Sequence, residues 1–568
     1  MVLVGFFVGV FVRIIYIQLF DANHWLPYAE KQISQNHSIE QQRGNIYDIK
    51  GRLLVASIPQ YDLYIDTRVP ALHEKEGKLW NENIDSFCVG LSKILGTYSA
   101  KEYKRRLSEE YKRGNGRYRI YPVRISHLQM KAISQLPLAR LGRIKSGIWY
   151  DKKYIRQYPY KNLAVRTIGK IDKETGKGIS GLEMYCNDWL TGMPGYSIRQ
   201  QVNGRKDDVV LKWPQDGYDV VSTLNADMME LSEIALRNAL MRTQAKWGCC
   251  VLMDVKTGEV RAISNLKRYE SGDYYEGVNY AAHRVEPGST FKTVSMMVAI
   301  DDGKFTMTDT LTISKNGWQY QDALHTDSHP MDTVLNLRSG FAVSSNIFFA
   351  KMITHAYEGS ANKFVKRLNK IGITDSVAWE IPGCQSANIS IPNDVVTLSR
   401  MAYGYSLELT PLEILMFYNA IANDGKMVQP IFIKRIENKG KTVKRFSPRV
   451  VKSSICKSST LKDVRLGLHD VVWDDHLGTA SKTPWGSKKV QSDLVRIVGK
   501  TGTAQVLDNG TYNPKKHRIT FVGYFPEEAP KYTCICMMEE PQGTYDSGTD
   551  CGRVVRQIAE YIMAYKDR

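Results

Sequence analysis

Residues 285–300 read VEPGSTFKTVSMMVAI. Pro287-Gly288 makes a turn, and an apolar run follows from Phe291 to Ile300. Ser289 and Lys292 stand three apart where that turn opens a buried helix. Residues i and i+3 of a helix share a face. The helix N-terminus adds backbone N–H groups and the positive end of a dipole beside the hydroxyl. A neutral lysine amine within reach of a serine can take its proton and free a nucleophilic oxygen.

S-x-x-K is a cheap pattern. It recurs at Ser264, which closes a strand, and at Ser454 and Ser459, in a Ser/Lys-rich stretch. S-x-N recurs too, at Ser34, Ser344 and Ser386. K-T-G stands at Lys256, where it reads as a hairpin turn, and at Lys500, after strand-like Val495–Val498. At the second site Gly502 is expected to leave the strand face open for a ligand backbone. What carries weight is the ordered trio Ser289–Lys292, Ser344–Asn346 and Lys500–Gly502.

The flanks describe one sheet built from both ends of a domain. Gly248–Asn265 is a hairpin, and Ile519–Phe525 with Tyr532–Met538 is a second one. Gly217–Leu224 is a strand and Ala226–Arg242 a long helix. Val554–Lys566 shows a helical apolar stripe at Val555, Ile558, Ile562 and Tyr565. The middle is helical, and Lys452–Lys462 reads as a surface loop. Upstream, Gln42–Ile65 is rich in strand formers around Lys50-Gly51, and Ala100–Pro137 reads as basic helices broken at Arg113–Gly116.

Length and composition exclude several classes. With 568 residues and 43% hydrophobic content the chain buries a large core and is neither disordered nor collagen-like. Nine cysteines without a C-x-x-C argue against a disulfide scaffold or a zinc ribbon. Residues Val2–Phe20 carry one charge, Arg13, over the length that spans a bilayer, so residues 1–20 are expected to be a single uncleaved anchor. The formal net charge is +18, and Lys101–Lys170 alone holds 19 Lys+Arg against 4 Asp+Glu. That segment reads as a solvated basic subdomain or a face toward anionic lipid or wall polymer. No nucleic-acid motif accompanies it.

The ordered trio resembles the penicillin-recognising serine transpeptidases and β-lactamases. Arg43–Asp48 with Gly51 and Leu54–Ala56 resembles the first amino-terminal motif of class B penicillin-binding proteins, apart from Ile49-Lys50. Arg156–Pro159 and Gly178–Glu183 resemble later ones, and Asp254–Glu259, Thr410–Glu413 and Thr520–Pro526 match as well. Ala56–Asp66 and the basic Gly114–Lys170 segment are more similar to the division-specific FtsI type than to the elongation type.

The resemblance implies an α+β fold. A transpeptidase domain over 226–568, with a central antiparallel sheet flanked by helices and an all-helical subdomain, stands behind an elongated pedestal over 21–225 and the transmembrane helix. It implies acyl transfer between peptidoglycan stem peptides. Ser289 attacks the D-alanyl-D-alanine carbonyl of a pentapeptide, with Lys292 as base. Burial and the neighbouring Lys500 lower the Lys292 pKa. Ser344 relays a proton, and Asn346 fixes Lys292 and the substrate amide. Lys500, Thr501 and Thr503 hold the donor carboxylate, and backbone N–H groups of Ser289 and Thr503 form the oxyanion hole. Arg43, Arg156 and Glu183 are assigned to an interdomain ion-pair network. No metal or cofactor is called for. The implied partners are the stem pentapeptide, β-lactams as covalent inhibitors, an FtsW-type glycan polymerase and other division proteins. The implied place is the bacterial inner membrane, catalytic domain outside, at the septum. Rivals are an elongation-specific enzyme, a D,D-carboxypeptidase, a β-lactamase, a β-lactam sensor and a non-enzymatic division scaffold.

Overall fold

The computed structural model of the chain describes residues 7, 9–13, 15–16, 37–202, 205–375, 377–392, 394–508 and 510–565. The anchor expected over residues 1–20 lies mostly outside the described residues. Of it, Phe7, 9–13, Ile15 and Tyr16 are helical, and among the described residues no helix is long and apolar enough to cross a membrane. The chain forms two compact units.

The first unit comprises 1–44, 56–157 and 191–218. Strand β1 (Leu53–Ile65) pairs antiparallel with β2 (Ile148–Gln157) from Ala56 onward, Ile65 lying opposite Ile148. Between them come α1 (Pro70–Leu95) and α2 (Ala100–Arg113). Alternate residues Tyr61, Leu63 and Ile65 enter one core with Trp80, Ile84, Phe87 and Leu91 of α1 and Tyr103 and Leu107 of α2. The helical break expected at 113–116 is real: α2 ends in Gly114 at φ +65, a left-handed cap.

The second unit comprises 45–55, 158–190 and 219–568. The sequence suggested a single boundary after residue 225, but the units exchange segments. Hydrogen bonding explains why. The short strand Ile46–Tyr47 runs parallel to β3 (Asp219–Ser222), which pairs with Ile433–Asn438. The buried Asp48 carboxylate takes the backbone N–H of Lys50 (2.9 Å), Arg52 (2.8 Å) and Ala226 (3.2 Å). The last of these opens α3 (Ala226–Thr243), so a carboxylate sits at that helix's N-terminus.

Six antiparallel strands make the unit's main sheet. In chain order they are β4 (Trp247–Asp254), β5 (Val260–Arg268), β6 (Tyr274–Glu276), β7 (Val498–Asp508), β8 (Thr511–Phe525) and β9 (Tyr532–Glu539). Their spatial order is β6-β5-β4-β9-β8-β7, so both ends of the segment meet at β4-β9 and β7 is an edge. Between β6 and β7 run α4 (Lys292–Asp301), α5 (Asn346–Tyr357), α6 (Pro411–Ala422) and α7 (Ser458–Trp473), and α8 (Arg553–Tyr565) follows β9.

Strand parity assigns the helices to faces. Gly248 lies under α3, where an added Cβ would come 3.0 Å from Leu240. Thr533 lies on the opposite face and donates to Asn419 of α6 at 2.8 Å. All twelve residues of α6 are buried, and a Thr410/Glu413 capping box with Pro411 at the first position starts it.

Two expectations change. The middle is not all helical, because Thr310–Ile313 pairs with Thr333–Asn336 and Trp318–Tyr320 with Ala323–His325. Lys452–Lys462 is only partly loop, since α7 starts at Ser458 and buries Thr460, Leu461 and Val464 on an apolar face that the Ser/Lys-rich composition hid.

Candidate active site

Gly288–Phe291 forms a single tight turn that runs directly into α4. Ser289 in it is 9% exposed. Two elements hold the turn and the start of α4, α6 and the 402–404 segment. The fully buried Tyr418 of α6 donates to Thr290 O at 2.8 Å and lies 2.6 Å from Thr293 Oγ1. Ser295 Oγ donates to Ala402 O at 2.7 Å, and Gly288 N to Gly404 O at 3.1 Å. Gly404 stands at φ +90, and a Cβ there would sit 2.1 Å from Gly288 O. Gly404→Ala is therefore expected to cost about 1–3 kcal/mol of stability through overpacking and strain. It should also slow acylation of Ser289 by displacing the turn. Denaturant unfolding and the rate of penicillin labelling would check both.

Behind the turn lies a buried polar centre. Lys292 Nζ donates to Ser344 O (2.6 Å), Ser344 Oγ (3.2 Å) and Asn346 Oδ1 (2.7 Å). Lys500 Nζ donates to the same Ser344 Oγ at 2.9 Å and to Thr501 O at 3.0 Å. Asn346 is held in turn by its Nδ2–H, which donates to Thr326 O at 2.9 Å. Ser344 stands at φ +59, left-handed backbone that a serine rarely adopts, and it is this conformation that turns both its carbonyl and its hydroxyl to Lys292. Ser289 and Lys292 are one turn apart, and no hydrogen bond joins Ser289 Oγ to the amine. Such pairs are often loose before substrate binds.

Both amines titrate low. Burial pulls Lys292 down to about 7, while the Asp327 carboxylate works the other way. Burial also takes Lys500 well below the usual lysine range, and the nearby Lys292 adds to that. The expected influence of Lys500 on Lys292 is thus expressed on Lys500. Two buried ammonium groups on one hydroxyl are costly, so the pair titrates as a unit. A base must be deprotonated, so acylation of Ser289 is expected to rise with pH through a limb near 7. In Asp327→Asn the limb should move to lower pH, because the carboxylate that favours the ammonium is gone. Penicillin acylation rates measured against pH check both statements.

The third motif lies on edge strand β7, and its residues divide by parity. Lys500, Gly502 and Ala504 face the nucleophile turn. A Cβ on Gly502 would come 2.9 Å from Thr290 Cγ2, and one on Gly288 would come 2.8 Å from Ala504 Cβ. Gly502 was expected to make room for a ligand backbone, but the group it makes room for is Thr290. Thr501 and Thr503 face the other way. Thr501 is buried with its hydroxyl 2.7 Å from that of Thr479, and the exposed Thr503 has Oγ1 3.4 Å from Ser547 Oγ. Lys500 Nζ reaches round the strand to within 3.5 Å of Thr501 Oγ1.

The structure therefore brings Ser289, Lys292, Ser344, Asn346, Lys500 and Thr501–Thr503 together. Sequence reading missed Asp327, Thr479 and Ser547. Asp327 accepts from Ser345 Oγ (2.6 Å) and Ile347 N (3.0 Å), fixing the first turn of α5 on both sides of Asn346. None of the three stands in a motif. The residues assigned to an interdomain network fall in different units. Arg156 donates to Gly44 O (2.7 Å) and Ser57 Oγ (2.7 Å), and Arg43 to Thr191 Oγ1 (2.8 Å), all within the first unit. Glu183 is fully buried in the second unit, near the start of Gly181–Tyr185. Of the competing S-x-x-K patterns, Ser264 lies inside β5, where Lys267 falls on the opposite face from it. Among the described residues no group of three His, Cys, Asp or Glu side chains is placed to hold a metal ion.

A family model described as penicillin binding protein transpeptidase domain matches residues 248–560, and one described as penicillin-binding protein dimerisation domain matches residues 38–222. The chain is 25% identical to a probable peptidoglycan D,D-transpeptidase, PbpC, of Pseudomonas aeruginosa over 543 residues, 93% of this chain and 87% of that protein. Its fold is similar to crystal structures of penicillin binding protein 2X from Streptococcus thermophilus (TM-score 0.81, 22% identity, 94% of this chain and 80% of that one). It is also similar to penicillin binding protein 3 from Mycobacterium tuberculosis complexed with aztreonam (TM-score 0.66, 20% identity, 94% and 97%).

Proposed function

From the premise that the chain belongs to the penicillin-binding protein transpeptidase family, with a class B dimerisation domain before the catalytic one, we propose that it cross-links peptidoglycan stem peptides during septal wall synthesis. It is a serine-type D-Ala-D-Ala transpeptidase. The observation that carries the mechanism is the chain of hydrogen bonds from Lys292 through Ser344 Oγ to Lys500, placed one helical turn from Ser289.

Each step follows from that chain. Neutral Lys292 takes the Ser289 proton as Oγ attacks the carbonyl between the two terminal D-alanines. Backbone N–H groups of Ser289 and Thr503 receive the developing oxyanion, and one such donor is worth about 3 kcal/mol of barrier. As the bond to D-alanine breaks, its amine needs a proton. Ser344 Oγ, bonded to both amines, can hand one over from Lys500 or Lys292. The acceptor amine then enters by the reverse path and releases Ser289. Thr501, Thr503 and Lys500 receive the donor's terminal carboxylate at the edge of β7. β-Lactams resemble that end of the substrate and acylate the same serine.

The septal role rests on the FtsI-type character of Ala56–Asp66 and Gly114–Lys170. The apolar stretch Val2–Phe20 supports a single-pass place in the bacterial cytoplasmic membrane, with the catalytic unit outside and an FtsW-type glycan polymerase beside it. In this reading the first unit is a pedestal and a docking platform.

The test is product analysis. The full chain in detergent is given a stem pentapeptide and an acceptor amine, and the products are weighed by mass spectrometry. Cross-linked peptide with release of one D-alanine is expected. Tetrapeptide without cross-link would make the protein a carboxypeptidase, and steady hydrolysis of penicillin would make it a β-lactamase. Depletion in cells should give filaments with unfinished septa. Rounded cells would move the role to elongation.

A further inference from the structure

The β1–β2 sheet of the first unit has one face in the core and one outside. Residues directly opposite each other on antiparallel strands share a face. Tyr64 lies opposite both Trp149 and Arg119, and Asp62 opposite Asp151, so these five share the outer face. Tyr61, Leu63, Ile65 and Ile148 take the inner one.

On the outer face four groups form a ladder. The Arg117 guanidinium lies 4.9 Å from the Tyr64 ring centre, Tyr64 stacks on Trp149 at 5.2 Å and 16°, and the Arg143 guanidinium lies 5.1 Å from the Trp149 ring centre. Beside it Arg119 and Arg124 both reach the one carboxylate of Asp62. The aromatic pair supports Arg117 and Arg143 without neutralising them, since a ring offers no charge. Among the described residues neither has a carboxylate partner, and both are exposed. Exposed apolar side chains adjoin two of the arginines, Arg124 and Arg143, along the chain. Val123 precedes Arg124 and is 61% exposed, and Ile144 follows Arg143 and is 62% exposed.

We propose that this face docks on a bilayer surface by binding anionic lipid headgroups. Lipid is favoured over a soluble polyanion for one reason. A polyanion engages arginines but gains nothing from an exposed valine and isoleucine. The boundary between headgroups and acyl chains takes both, and takes tryptophan and tyrosine rings as well. The proposal is independent of the chemistry at Ser289, because every residue it uses lies in the first unit.

The experiment uses the full chain on phosphatidylcholine vesicles, with and without phosphatidylglycerol. The apolar amino terminus can hold the chain on both, so total binding is not the readout. Hydroxyl-radical footprinting of Val123, Ile144 and Trp149 is. Docking predicts that labelling of all three slows on the anionic vesicles at low salt and recovers at high salt. Labelling should be unchanged on the neutral vesicles. At roughly a fivefold contribution per surface cation, Arg117→Gln/Arg143→Gln should weaken the protection by on the order of thirtyfold in anionic lipid required. A denaturant unfolding transition of the first unit unchanged in that variant confirms that it is folded. Equal protection on neutral vesicles, or none on anionic ones, overturns the proposal. Protection by soluble polyphosphate but not by vesicles would assign the face to a polyanion instead.

Discussion

A Ser289→Ala chain is expected to take no covalent label from a penicillin and to form no cross-link, while unfolding at nearly the same denaturant concentration as the parent. The two halves of this result have different causes. The oxygen that forms the acyl bond is gone, so intact-mass analysis should show no adduct at any exposure. In turnover, loss of a serine nucleophile costs on the order of a millionfold. The fold is spared because the structure gives Ser289 Oγ no hydrogen-bond partner to orphan, and the turn is held through Thr290, Thr293 and Ser295 instead. A polar-to-alanine change without such a partner shifts stability by roughly 0.5 kcal/mol or less. Adding Lys292→Met should lose no further activity, since base and nucleophile act as one unit. An adduct on the alanine chain would place the nucleophile elsewhere, with the S-x-x-K at Ser454 or Ser459 next to be tested. A large fall in stability would mean that the hydroxyl has a structural role.

The trio was legible because each of its parts obeys a local rule. Pro287-Gly288 before Phe291–Ile300 announces a turn feeding a buried helix, and the structure has that turn and that helix. The two hairpins could be read from strand formers around Lys256-Thr257-Gly258 and Glu527–Pro530, and β4-β9 pairing then closes one sheet. Parity along β7 is also a sequence property, yet its consequence depended on what packs where. Only the structure shows that the 500, 502 and 504 side of the strand is taken by the nucleophile turn, leaving Gly502 to clear Thr290.

What could not be read is long-range. Asp327 reaches Ser345 and Ile347 across 18 and 20 residues of chain, and Thr479 reaches Thr501 across 22. No spacing rule links such pairs, because short irregular segments carry them. The exchange of segments between the two compact units is long-range in the same way. Ile46–Tyr47 belongs with the catalytic unit because its parallel partner is β3, 174 residues later in the case of Ile46 and Val220. The helix over 458–473 was missed because its first turn is Ser/Lys-rich, and the burial of Leu461, Val464 and Leu468 shows only over the full length.

Two substitutions at one position should separate chemistry from strain. Ser344→Ala and Ser344→Gly both remove the hydroxyl that Lys292 and Lys500 share. Neither removes the carbonyl that accepts from Lys292 at 2.6 Å, and Asn346 Oδ1 still accepts from it at 2.7 Å. The base therefore stays in place while the relay is broken, and both variants should lose about 10²–10⁴ in acylation rate. Stability should divide them. Position 344 holds φ +59, which costs a side-chain-bearing residue about 1–2 kcal/mol and glycine almost nothing. Alanine keeps that strain and glycine releases it. The glycine chain should accordingly be the more stable of the two, by about 0.5–1 kcal/mol after its extra unfolded-state entropy is counted. Denaturant unfolding and single-turnover acylation on the same samples give the two orderings. A glycine chain less stable than the alanine chain by about 0.5–1 kcal/mol, the entropy cost alone, would show that the backbone at 344 carries no strain. A glycine variant as fast as the parent would show that the proton reaches the leaving amine without Ser344, and would move the relay to one of the two lysines directly.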